Sequence, residues 1–377
     1  MKRILCLFLL FGTQLPFLFG QEKVSFKDSL DHKFDVSDWV LTANGFIPIP
    51  VIITEPALGG IGGALFTIFV DVNTPYRDTI NGELVTTRAK PNLYGVGGAY
   101  TANGTWAFAG VSIGTIKKYR LNYRLISAYA DVNLEFFREL ENGDEHSFEF
   151  NLHTFPVFGQ LVKHFKGRSW YTGLNYLFLN TKIQQSNPEF HSAKEVNSNV
   201  SRLGVMLEYD TRDNVFTPDK GFRWNSVFGV ADDALGSDYD YTSLNSAAFY
   251  YLPISKRIIS GFRAEYQQMW GDPPFYLLPF INMRGIPVAR YQGTITALAE
   301  TEWRWDLTPR VSLVTFGGAG KAIPEESSFE ESKWRYSGGA GTRYLIARKL
   351  KLRGGIDVAR GPEQWAYYIV FGTTWTR

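Results

Sequence analysis

The fold class this sequence predicts is all-β: a transmembrane antiparallel β-barrel of sixteen strands with a long loop inserted in its lumen. Three observations predict it. Residues 46–377 alternate apolar and polar positions with period two, over and over, as a pleated strand does. Several of these segments run to about ten residues or more, whereas strands of soluble sandwiches are usually about five or six long. Aromatic residues gather towards segment ends, at Trp170-Tyr171, Tyr250-Tyr251, Trp303 with Trp305, and Tyr367-Tyr368 with Trp375, which is how interfacial girdles distribute in membrane barrels.

Composition excludes other classes. The 377 residues hold 39 Lys and Arg against 37 Asp and Glu, a net of +2, so there is no basic excess for a nucleic-acid partner. No internal apolar run reaches the ~18 residues of a spanning helix. Aromatics at 16% are too abundant for a disordered chain.

Taken in order, the first element is an address. Lys2 and Arg3 precede the apolar run Ile4 to Phe11, which resumes through Leu15, Phe17 and Phe19 before Gly20. Residues 1–20 read as a cleaved secretory signal peptide. Their loss leaves 37 basic against 37 acidic residues and removes Cys6, the one cysteine. Disulfide scaffolds, thiol catalysis and cysteine metal sites are thereby excluded. Residues 21–45 form a short periplasmic segment with room for one short helix, capped by Ser37. The barrel occupies 46–377.

The strands are expected at 47–55, 60–70, 92–102, 105–116, 125–140, 146–158, 169–183, 198–212, 221–231, 241–253, 257–270, 294–306, 310–320, 334–346, 350–360 and 365–376. The clearest alternation sets Ala128, Ala130, Val132, Leu134 and Phe136 against Tyr129, Asp131, Asn133, Glu135 and Phe137, and Leu203, Val205 and Leu207 against Arg202, Met206 and Glu208. The apolar set of each strand is assigned to lipid and the polar set to a wet lumen. Links at 254–256, 307–309 and 347–349 are tight and those at 271–293 and 321–333 are long, which matches short periplasmic turns and long external loops. The long link 71–91 breaks that alternation. The first strand is interrupted by Pro48, Pro50 and Pro56, and Gly59, Gly60, Gly62 and Gly63 begin the second. Proline removes ladder donors and glycine weakens strands, so closure of 47–55 against 365–376 is expected to be poorly paired; alternatively, the prolines only protect a terminus.

The longest loop, 271–293, carries Phe275 to Ile281, too apolar for a loop in water. Folded into the lumen, it would bury Arg284, whose guanidinium then needs acceptors; Glu300, Glu302 and Asp357 are candidates. An external loop with a solvated Arg284 is the plain alternative. Catalytic patterns are missing: His32, His146, His153, His164 and His191 stand in no nucleophile motif, and Asp232-Asp233 is a plausible acidic pair that reads equally well as a solvated loop. No cofactor or metal is expected.

Three stretches, Asp210 to Gly221, Arg284-Gly285 in the long loop, and Gly338 to Tyr344 with the last hairpin, together resemble the BamA/TamA superfamily of outer-membrane proteins, the bacterial surface antigen family. Asp210-Thr211-Arg212-Asp213, continuing through Pro218 to Gly221, matches its D-x-R-D-x(4)-P-x-x-G turn. Arg284-Gly285 sits where the family carries the R-G-[FY] of a lumen-inserted loop. Gly338 to Tyr344 and the last hairpin resemble its C-terminal strands. Ile286 departs from the usual aromatic, Phe316 to Gly320 lack the acid some members place opposite the loop arginine, and Arg377 replaces a final aromatic. The resemblance implies a member without POTRA domains, in the bacterial outer membrane, acting in protein or lipid insertion or translocation. Its partners would be outer-membrane lipid, unfolded outer-membrane or secreted proteins and periplasmic factors. It implies Arg284 and Gly285 as the lumen motif, anchored by Glu302 or Asp357, and no enzyme. A passive, porin-like channel is the alternative.

Overall fold

A computed structural model describes residues 25–42, 45–71, 76–80, 83–87, 92–119, 121–139, 145–165, 169–185 and 196–375. The signal peptide read at 1–20, His191 and Arg377 lie outside these residues. Sixteen strands form one sheet in chain order: β1 (Gly45–Ile53), β2 (Gly62–Asp71), β3 (Asn92–Thr101), β4 (Trp106–Ile116), β5 (Leu121–Glu139), β6 (Glu145–His164), β7 (Trp170–Gln185), β8 (Val196–Asp210), β9 (Gly221–Ala231), β10 (Tyr241–Pro253), β11 (Ile258–Gly271), β12 (Ile295–Asp306), β13 (Val311–Ile323), β14 (Arg335–Ala347), β15 (Leu352–Arg360) and β16 (Trp365–Phe371). Every neighbouring pair is antiparallel, and the sheet curls into a nearly closed barrel whose two ends are β1 and β16. The link between β2 and β3 carries a separate hairpin, Tyr76–Ile80 paired with Glu83–Thr87.

Strand number and order agree with the periodicity; four details differ. β6 continues to His164, because β5 offers partners as far as Leu121. β16 stops at Phe371 instead of reaching 376: Gly372 takes φ +75° and the chain turns inward. Trp375 therefore leaves the lipid girdle and packs inside on Phe249 and Tyr251. Along β5 the assigned faces are reversed. Tyr129, paired with Phe108, is exposed on the outer wall, while Ala130, Val132, Leu134 and Phe136 face inward. The distal halves of β5 and β6 overhang the barrel there and pack their apolar side on the inserted loop, against Val288, Ala289 and Tyr276. A period-two pattern says which residues share a face, not which face meets lipid.

β1 pairs with β2 in unbroken register from Gly45 to Ile53. Proline fits such a ladder only where its missing N–H points away from the neighbour. Pro48 and Pro50, two apart and so on one side, turn that deficit towards the free edge.

The segment before β1 straps the end of the barrel that carries the β12–β13 and β14–β15 turns. A short helix, α1 (Ser37–Thr42), begins beside Asp35, whose Oδ1 accepts the Ser37 N–H at 2.7 Å. Ser37 is thus not the cap; its hydroxyl accepts from the Lys349 N–H at 3.0 Å. Ahead of the helix, Asp28, Asp31 and Asp35 surround the fully buried guanidinium of Arg310, and Asp28 also takes Arg348. A bulge at Ile346 frees a carbonyl that Val36 N–H fills at 2.7 Å. Arg310 and Arg348 belong to the β12–β13 and β14–β15 turns, so the strap passes beneath the free end of the sheet before entering β1.

The Arg348 guanidinium beside Asp28, and Arg310 beside Asp31, hold those carboxyls below the usual range. Burial pushes Asp35 up, but the bonds from Ser37 and Arg310 outweigh it and leave it low as well. Groups that titrate lower when folded stabilise fully above the ordinary carboxylate range, about pH 3.9, and that stability is lost as pH falls through the lowered values. Limited proteolysis should therefore find residues 25–42 protected at pH 7 and pH 5. Arg310→Ala should be cleaved in that segment at pH 7, with the barrel still resistant.

Candidate functional site

The candidate site is the lumen with the β11–β12 loop, the β8–β9 turn and the tail after β16 that enter it. Inward positions of β11 to β15 carry charge: Arg263 and Glu265, Glu300, Glu302 and Arg304, Arg343, Arg353 and Asp357. Charges in a wall of low dielectric must be paired. The loop between β11 and β12 brings in one more, Arg284, which is only 3% exposed. Its Nη1 donates to Asp357 Oδ2 at 2.7 Å, and its Nη2 lies 2.7 Å from Glu302 Oε2. The guanidinium also stacks over the Phe316 ring, 3.4 Å from its centroid. β13, which lacks an acid opposite the loop, contributes that aromatic face instead.

Asp357 is fully buried and holds a second guanidinium, Arg343, through both oxygens. Gly341 stands opposite Asp357 in the β14–β15 ladder, where a Cβ would come within 1.9 Å of the carboxylate. The Gly-rich stretch 338–344 thus supplies both the space for this carboxylate and its second cation. Glu300, weighed from sequence as an acceptor for Arg284, pairs with Arg263, which also donates to the Asn282 carbonyl at 3.0 Å.

Gly285 has φ +91°, and a Cβ there would strike the backbone of Gly361 at 2.8 Å. Only glycine allows the loop to touch the β15–β16 turn so closely. Its N–H donates to the Tyr368 hydroxyl at 2.9 Å. On the other side Val288 N–H donates to Glu55, in the β1–β2 connection, at 3.1 Å. The loop is therefore bonded to both sides of the unpaired seam. Ile286, where an aromatic was the expectation, is buried with Ile281, Met283, Tyr291 and Leu298.

The turn between β8 and β9 holds the other motif. Asp210 grips Arg212 through both oxygens, at 3.0 and 2.8 Å. Asp213 Oδ1 accepts the N–H groups of Asp219 and Lys220 at 2.9 and 3.2 Å, and Asn214 accepts those of Phe216 and Thr217. Gly221, at φ +112°, closes on Thr211. Pro218 lines the same inner cavity as Trp375 and Arg353. So wired, the turn reaches across the same mouth as the strap to strands half-way round the ring. Lys351 binds Asp213 and Asp219, each at 2.8 Å; Asp219 also takes Arg304; Asn214 donates to the Leu350 carbonyl. Thr373 N–H, beyond β16, donates to the Phe216 carbonyl at 2.7 Å. Burial pushes Asp213 and Asp219 up, but Lys351 outweighs it and holds both carboxyls low.

Sequence reasoning missed Phe316, Arg343, Tyr368 and Lys351. Arg343 and Lys351 could have been marked as charges on strand or turn positions beside glycine-rich or paired-basic stretches; nothing local marks the other two. The Asp232-Asp233 pair is a loop cap, with Asp232 accepting the Ala234 N–H. His153 lies 3.4 Å from Asp131 on the outer face of the β5–β6 overhang.

The Omp85 superfamily domain model matches residues 100–281. Among solved structures the chain is similar to BamA from Haemophilus ducreyi lacking POTRA domains 1–3, at 13% identity and TM-score 0.61, over 88% of this chain and 70% of that one. It is also similar to CdiB from Escherichia coli, at 13% identity and TM-score 0.57, over 86% of this chain and 62% of that one. At these identities the likeness is one of fold. No curated protein matches the sequence.

Removing one partner of a buried ion pair typically costs about 3–5 kcal/mol. Arg284→Ala should lower barrel stability by that order in denaturant titration, and Arg284→Lys should rescue only part, lacking the planar fork that bonds Asp357 and stacks on Phe316. Gly341→Val should reproduce the loss with both charges present, by displacing the Asp357 carboxylate.

Proposed function

We propose that this chain, whose residues 100–281 match the Omp85 superfamily domain model and whose fold is similar to that of BamA, is an outer-membrane barrel of that superfamily acting in protein or lipid insertion or translocation. The observation that carries this reading is the combination of a filled lumen and an unstitched wall. The sheet has two free ends, β1 and β16, and the β1 edge lacks donors at Pro48 and Pro50. The lumen beside it is occupied by the Arg284 loop from outside and by the β8–β9 turn from the periplasm. A route along the wall is therefore favoured over one through the middle. The working parts are then the seam, Arg284 and Gly285 with Glu302 and Asp357 as the bolt that holds the loop, and the Asp210–Gly221 turn as the periplasmic brace. Residues 1–20 direct export and are removed. The clients are unfolded outer-membrane or secreted proteins, or lipid, delivered by periplasmic factors.

Bilayer conductance of the folded protein, beside a deletion of 275–290, tests this. Heat-modifiable electrophoretic mobility verifies the barrel in each. A silent or flickering parent and a widely open deletion are expected. In a Cys6→Ser background, paired cysteines along 47–53 and 365–371 should lock the seam and abolish client insertion. Steady conductance in both parent and deletion would overturn the reading in favour of a passive channel.

A further inference from the structure

We propose that the hairpin at residues 26–35 is a membrane foot, whose apolar side inserts into the periplasmic leaflet of the bilayer beside β12–β14. The hairpin is rigid. Lys27 and Phe34 form a bridge, Asp28 N–H donates to the Lys33 carbonyl at 2.9 Å, and Asp35 N–H donates to the Phe26 carbonyl at 3.0 Å. Its carboxylates are all turned to one place, the Arg310 guanidinium. Its acidic groups are thereby consumed.

Three large apolar side chains remain outside. Phe26 is 48% exposed, Leu30 at the tip 73% and Phe34 54%. The two phenyl rings stack, with centroids 6.5 Å apart and planes within 8°. A short element held stiff by an ion cage cannot fold these groups away, so in water they would remain hydrated at an unfavourable cost.

The attachment says what covers them. Tyr344 hydroxyl donates to the Phe34 carbonyl, and Val36 N–H to that of Ile346. Tyr344 and Ile346 share the outward set of β14 with the exposed Tyr336. The hairpin thus hangs from the lipid side of the wall at its periplasmic end. Trp303, Trp305 and Val311, exposed on the adjoining strand ends, continue the same apolar surface. A surface continuous with the lipid-facing belt is covered by lipid. Lys27 and Lys33, both exposed on the hairpin, suit the phosphate level above buried apolar groups.

The test uses the full chain with Cys6→Ser, carrying one environment-sensitive fluorophore at Leu30→Cys, in phosphatidylcholine–phosphatidylglycerol vesicles. Phe262→Cys on the outer wall and Ser255→Cys in an exposed periplasmic turn are the lipid and water references. The label at 30 should emit to the blue of the label at 255, be quenched by nitroxide carried near the lipid headgroup, and be shielded from iodide. Adding Asp31→Asn, a milder change than loss of Arg310, should weaken the nitroxide quenching as the cage loosens. A label at 30 that is open to iodide and untouched by the nitroxide would overturn the proposal. So would one shielded from both quenchers, since that pattern means a protein covers the hairpin.

Discussion

Asp357 between two guanidinium groups is the contact on which the rest of the barrel's interior depends. A carboxylate that has given up water entirely must be repaid by close cations, and here Arg284 and Arg343 supply them from a loop and from a neighbouring strand. Because Arg284 also meets Glu302 and Phe316, one guanidinium ties β12, β13 and β15 to the loop. The glycines nearby follow from this. Gly341 leaves room for the carboxylate, and Gly285 lets the loop backbone lie on Gly361.

The same logic organises the two mouths. A sheet with unpaired ends has no ladder to hold it shut, and the chain spans that gap from both sides. Outside, the loop reaches Glu55 next to β1 and Tyr368 on β16. At the opposite mouth, the strap joins β1 to the turns of β12–β15 through Arg310 and Arg348. The short turn Arg348-Lys349-Leu350-Lys351 is where these devices meet: Arg348 and Lys349 hold the strap, Leu350 and Lys351 hold the β8–β9 turn. Ion pairs and single hydrogen bonds, unlike an uninterrupted ladder, can be exchanged one at a time. Such a mouth is held closed without being sewn.

In the lumen, the chemistry of one residue constrains its partners. A buried arginine in a loop that also carries Phe275 to Ile281 needs acceptors, and sequence offers Glu300, Glu302 and Asp357; the structure sets Arg284 against Glu302 and Asp357 and gives Glu300 to Arg263. The Asp-x-Arg-Asp turn was visible as a motif, but its span across the mouth was not, since Lys351 lies 138 residues from Asp213. The reversal of β5 was invisible for a different reason: alternation is symmetric between faces until something packs on one of them, and what packs there is a loop more than a hundred residues away.

Sequence by itself therefore determined the sixteen strands and their order, because pleat and turn chemistry act between residues a few positions apart. Tertiary structure alone decided where the charges of the strap, the tail after Phe371 and the β8–β9 turn find their counterparts. The Arg310 cage joins residues 275 to 282 positions apart. No periodicity carries information over such a distance. The pairing is set only when the curled sheet brings the two ends of the chain to one rim and the buried charges there must be neutralised.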